Sequence, residues 1–317
     1  MSIGVKVGRE SVTHGTLAGS LASMAAGFKS VHKQKNMSPE EGRNGQDVNF
    51  STMTGIRWEE WSVDESYIYH DTFGLWLDSA FALATSSIVD TIRDNTFKLG
   101  VDPASLSLQF DQPRRSVQGF QVLNANVDRM TINFDIQGQL SYTLAGVGKA
   151  RTTIGAPSFS FSTTRPIPVW SGQVSFEGVA LTYADLLKGS ITITRNRKPF
   201  HTISNSQDIT KVSIGTRMVE WDLTLDFDSL DEYNDFKNNT TDALTILWKD
   251  LSTTIGGSSN PEFEIKLGTV MFEEAVEDTD SDLPSINVKG KALYNSSDAS
   301  LAVARLKSTV DYATFVG

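Results

Sequence analysis

RMVEWDLTLDFDSLDEYNDF, residues 217–236, decides the fold. Val219, Trp221, Leu223, Leu225 and Phe227 alternate with Glu220, Asp222, Thr224, Asp226 and Asp228. A strict period of two puts apolar groups on one face and carboxylates on the other, as in a half-buried strand of an antiparallel sheet. Ser229 can then cap a short helix with Leu230, Tyr233 and Phe236 on one side.

Outward from this unit the chain repeats the theme. Met130, Ile132, Phe134 and Ile136 alternate with Thr131, Asn133, Asp135 and Gln137, and the parity continues through Gln139 to Leu144. The stretch is too long for one ordinary strand, so it is a bent strand or two joined at Gly138. If it lies at a sheet edge, its unpaired backbone groups call for a neighbouring subunit, and a continuous barrel built from several copies would follow. Shorter strands are expected at 105–110, 174–181, 189–194, 243–248, 263–272 and 286–293, and one or two within 48–69. A short helix and a last strand ending at Tyr312 are expected in 298–317. Phe73, Trp76, Leu77, Ala80, Phe81 and Ala84 form a helical stripe that Asp71 or Thr72 can cap. Leu17, Leu21, Met24 and Phe28 also recur at helical spacing, which predicts an amphipathic helix in a subunit-docking arm over 1–47, ahead of a β-sandwich domain over 48–317. Two strand-rich halves meet near 150–172 without a strict sequence repeat.

Composition narrows the function. The 317 residues contain no cysteine, so disulfide frameworks and thiolate zinc sites are excluded. No apolar run reaches the ~18 residues of a membrane span, and the first residues lack a signal-peptide core, so a soluble chain without membrane insertion is expected. Net charge is −10, with 17 acidic and 3 basic residues concentrated in 218–286. Such a segment repels rather than grips phosphates. His14, His32, His70 and His201 are scattered, no nucleophile elbow occurs, and LAGVGKA lacks the first Gly and the final hydroxyl of a phosphate loop. Asp278, Asp280 and Asp282 imitate a calcium loop, but Leu283 and Lys289 stand where Gly and Glu are required. No enzyme and no cofactor are expected.

Several stretches together resemble the major tail tube proteins of long-tailed bacteriophages: FGLWLDSAFAL (73–83), VDPASLSLQF (101–110), GFQVLNANVDRMTINFDIQGQLSYTLAGVGKA (119–150), and the run from Leu187 through Asn196 and Gly215–Arg217 to Phe236, with Tyr312 at the end. The resemblance covers roughly 48–315. It implies a mainly β fold, an antiparallel sandwich or barrel with a flanking short helix and an extended arm. It also implies hexameric rings stacked into a tube around a tape-measure protein, bounded by tail-tip and terminator proteins. Double-stranded DNA would later pass without specific binding. The location implied is the virion tail, after synthesis in the bacterial cytoplasm. A terminator or baseplate protein of the same fold is the alternative; a sugar-binding sandwich fits less well. Under the tube reading, the candidate lumen residues are Asn133, Asp135, Gln137 and Gln139 on one strand and Glu220, Asp222, Asp226 and Asp228 on the other. Leu17, Leu21, Met24 and Phe28 are the candidate inter-subunit contacts.

Overall fold

A computed structural model describes residues 4–10, 15–35, 55–89, 91–100, 102–111, 118–136, 138–176, 179–180, 186–202, 206–226, 241–278 and 285–312. The strands fall into two successive sets. The first comprises β1 (Gly4–Arg9), β2 (Ala22–Ala25), β3 (Phe28–Gln34), β4 (Arg57–Tyr67), helix α1 (Phe73–Ala80), β5 (Leu83–Val89), β6 (Ile92–Lys98), β7 (Leu106–Asp111), β8 (Gln118–Asp135), β9 (Ser141–Gly148) and β10 (Thr152–Gly155). The second comprises β11 (Gly172–Phe176), β12 (Val179–Ala180), β13 (Leu186–Thr194), β14 (Lys198–Phe200), β15 (Lys211–Ser213), β16 (Met218–Asp226), β17 (Thr241–Lys249), β18 (Glu262–Asp278), β19 (Ser285–Ala292) and β20 (Val303–Ser308).

The two sets are wired alike. In the first, β1 pairs with β2 and β7, β7 with β8, β8 with β10 and β9, β9 with β4, and β4 with β3. In the second, β11 pairs with β12 and β17, β17 with β18, β18 with β20 and β19, β19 with β16, and β16 with β13. Every one of these pairings is antiparallel. The match extends to detail. Trp61 lies opposite Gly146 and Trp221 opposite Gly290, with each indole packed where a Cβ on its glycine would stand. The ladders between β8 and β9 and between β18 and β19 each carry a bulge next to that glycine's partner, at Val127/Arg129 and Phe272/Glu274. The chain is therefore an internal duplication. The hairpin β5–β6 is an insertion in the first half and the ribbon β14–β15 one in the second.

The halves join where β8 pairs with β13, giving one broad layer in the order β3-β4-β9-β8-β13-β16-β19-β18. β8 and β18 are long enough, at 18 and 17 residues, to leave this layer and pair in a second one as well. The core fills the space between. Phe28 meets Phe110 (ring centroids 4.6 Å apart), Phe134 meets Trp248 (5.1 Å), and Phe73 of α1 reaches both Tyr142 (4.9 Å) and Phe263 (5.4 Å). Fully buried Trp76 and Leu77 complete the helix's contribution.

The C-terminal end of α1 is capped from a distance. Arg195, wholly buried after β13, donates to the carbonyls of Ala80 (2.6 Å), Phe81 (3.3 Å) and Gly100 (2.7 Å). Arg217 donates to Leu99 O (2.6 Å) and Arg197 to Asn126 Oδ1 (2.8 Å). A cation suits the negative end of a helix dipole, while burial, then Arg197 and Arg217, pull the Arg195 pKa down to about 9.

Several expectations change. The stripe of Leu17, Leu21, Met24 and Phe28 is not helical: Met24 lies on β2 and Phe28 on β3, both buried, whereas Leu17 is exposed and Leu21 half-buried. The spacing suits a helix, but pairing of β1 with β7 and β3 with β4 supplies the backbone hydrogen bonds instead. The described N-terminal residues thus belong to the sandwich core rather than to a detached arm. The stretch 127–146 is no edge, since β8 and β9 are flanked on both sides. Residues 295–300 form a turn closed by an Asn295–Ser300 bridge instead of a helix, and the last strand ends at Ser308. Thr72 occupies the N-cap without a side-chain hydrogen bond. The helix expected at 230–236 and the aspartates at 280 and 282 lie outside the described residues.

Candidate lumen face

The broad layer has one core face and one polar face, set by the alternation of its strands. Cross-strand registers place the polar residues in rows. One row runs Thr143–Thr131–Thr192–Glu220–Lys291. The next runs Ser141–Asn133–Ser190–Asp222–Lys289–Glu274, and a third Asp135–Lys188–Thr224–Asn287–Val276. Both strands singled out from sequence therefore share one surface, bridged by β13. Asn133 is half-buried and Asp135 exposed; Glu220, Asp222 and Asp226 are half-buried; Gln139 is exposed at the β8–β9 turn. Gln137 and Asp228 fall outside the described residues. An open groove of 540 Å³ crosses this face, lined among others by Tyr67, Asn133, Lys188, Asp222 and Asn287.

The carboxylates are not alone, so the strongly acidic face expected from β16 becomes a mixed one. Asn287 Nδ2 donates to Asp222 Oδ1 (2.8 Å) and Thr224 Oγ1 (3.2 Å). Lys289 Nζ stands 3.7 Å from both Asp222 and Glu274. Lys291 binds Glu273 (2.6 Å), and that hydrogen bond raises the lysine's pKa. Thr131 and Thr192 hydroxyls meet at 3.1 Å. The lysines come from β19, whose sequence SINVKGKA alternates as cleanly as β16 does. The signal was present in sequence, but the neighbour relation joining β19 to β16 was not.

This is a surface without catalytic geometry: Thr131 bonds Thr192, Asn287 bonds Asp222 and Thr224, and Lys289 and Lys291 pair with carboxylates. Among the described residues no group of three or more His, Asp or Glu could hold a metal ion. No curated protein matches the chain. A family model described as phage tail tube protein matches residues 11–292. With that match over most of its length and a large antiparallel sheet carrying one short helix, the chain belongs to the phage tail tube protein family, non-enzymatic structural components of the virion tail.

Proposed function

We propose that this chain builds the wall of a tail tube: closed rings of six fold units stack into a conduit, and the polar face of the broad layer lines its bore. The observation that carries the reading is the pairing of charges on that face. Lys289 and Lys291 are each within salt-bridge distance of a carboxylate, so neither offers a free cation to a passing phosphate. Hydroxyls and amides predominate on the β8–β9 side, alongside exposed Asp135 and Arg129. A duplex inside such a wall meets weak, screened fields and no sticky stripe. The tape-measure protein would fill the bore first, with tip and terminator proteins closing the ends. Assembly would take place in the bacterial cytoplasm where the chain is made.

Replacing Glu220, Asp222 and Asp226 by Lys tests this. The apolar face of β16 is untouched, so the subunit should fold and assemble, while DNA ejection slows, most at low salt. Assembled mutant tails that eject normally at low salt would place this face outside the bore. Stacked tubes in negative stain, rather than single rings, separate a tube protein from a terminator.

A further inference from the structure

The duplication identifies the seam between subunits. Within one chain the halves are joined by the last broad-layer strand of the first half, β8, pairing with the first such strand of the second, β13. The equivalent strands left over are β18 and β3. Among the described residues no strand pairs with the outer edge of β3 over residues 29–33 or of β18 over residues 273–277. We infer that β18 of one chain pairs with β3 of the next, repeating the β8–β13 joint between chains, and that three chains, six fold units, close the ring. This rests on the tube reading above.

The register can be transferred. The bulges equate Asp128 with Glu273, and the partners of Trp61 and Trp221 equate Ser30 with Ile191. Since Thr131 lies opposite Thr192 and Arg129 opposite Thr194, Val276 should lie opposite Val31 and Glu274 opposite Lys33. The transferred pairs are chemically matched without having been chosen for it. Val31 and Val276 are exposed apolar residues, 52% and 49% accessible, on otherwise polar edges. Lys33 and Glu274 are of opposite sign, whereas two-fold contacts of β3 with β3 or β18 with β18 would set like charges together. Eight strands, all antiparallel to their neighbours, also leave β3 and β18 running in opposite directions. A rotated copy therefore docks antiparallel, like every other pairing.

The geometry closes. Val31 shares a row with Glu60, Val147 and Asn126, while Val276 shares one with Asp135, so the joint shifts each copy by about eight residues along eight strands. At ~3.3 Å per residue and ~4.8 Å between strands, the strands tilt by about 35°. The sense of tilt follows from chain chirality: Arg195 N–H donates to Asp128 O (2.8 Å), which fixes the side of β8 on which β13 lies. With the polar face concave the tilt has the right-handed sense that sheet twist requires; with it convex the sense reverses. Three chains give 24 strands and a barrel about 45 Å across between backbones, against about 30 Å for two chains and 90 Å for six. Only the first both admits a duplex and encloses it closely.

The chain contains no cysteine, so disulfide mapping is unambiguous. Assembled V31C/V276C protein, oxidised and run without reductant, should give a ladder ending at three chains; V31C or V276C alone should remain monomeric. K33C/E274C should repeat the result at a second position. Tubes that form without cross-links in either double variant would overturn the seam. Dimers from V31C alone would show two-fold pairing, and a ladder running to six would overturn the three-chain ring. Failure of the unmodified protein to form rings or tubes would instead sink the tube reading itself.

Discussion

Arg195 offers a sharp test of how the fold is held. In Arg195→Met the side chain stays long and apolar but loses its donors. The Phe81 carbonyl keeps a partner, Gly100 N–H at 3.0 Å, whereas the guanidinium's contacts to Ala80 O and Gly100 O are lost. The buried Ala80 carbonyl and the half-buried Gly100 carbonyl, left short of a donor, cost about 1–3 kcal/mol each, and relief of guanidinium desolvation returns part of this, so a net loss of about 3–4 kcal/mol is expected. Unfolding entropy of ~2.1 cal/mol/K per residue over 317 residues converts this to a Tm drop of about 5 °C for the free subunit. Arg195→Lys, which retains the charge and reaches fewer carbonyls, should fall between. Melts followed by circular dichroism suffice. A methionine variant melting within about 1 °C of the parent would refute the reasoning, because it would mean that the helix end is satisfied without the arginine.

Gly146→Ala and Gly290→Ala should be comparably destabilising, because each new methyl meets an indole and a neighbouring carbonyl; unequal losses in urea titrations would count against equivalence of the halves. Deleting residues 1–35 removes β1, β2 and β3 with Met24 and Phe28, so the remainder should fail to fold cooperatively; a sharp, native-like melt would restore the arm reading. His70 is buried and its pKa is lowered, chiefly by burial, against the opposing pull of Asp71 and Asp250. Below the unfolded value of ~6.5 the unfolded chain binds the proton more readily, so His70's contribution to stability declines as pH falls from 7 to 5. His70→Gln should flatten that part of the Tm–pH curve, and an unchanged slope would exclude His70 as its source.

Strands were legible where alternation was strict, as in β8, β9 and β16, and α1 followed from its stripe, whereas β3 and β5, each partly exposed, were not. It misled at Met24 and Phe28, where helical spacing arose by coincidence from two short strands broken at Ala26–Gly27. The polar face was readable strand by strand, but not the neighbours that neutralise it, since the β16–β19 pairing joins residues as far apart as Glu220 and Lys291. The duplication was hidden for a related reason. Packing requires only that a face be apolar, so identities drift. What survives is Arg-x-x-Glu-Trp, at Arg57–Trp61 and Arg217–Trp221, and the glycines under the two indoles, where no other side chain fits.

Tethering two fold units in one polypeptide changes what evolution can do with them. A unit that assembles with identical copies must be complementary to itself, and any change appears at every position around the ring. Once fused, the halves are always made in equal number and meet in a fixed order, so each needs to suit only its partner. One half has gained β5–β6, which pairs with β20 across the divide, and the other β14–β15. In the ring proposed above, the tail's outer surface is thereby free to alternate between two faces around one continuous bore.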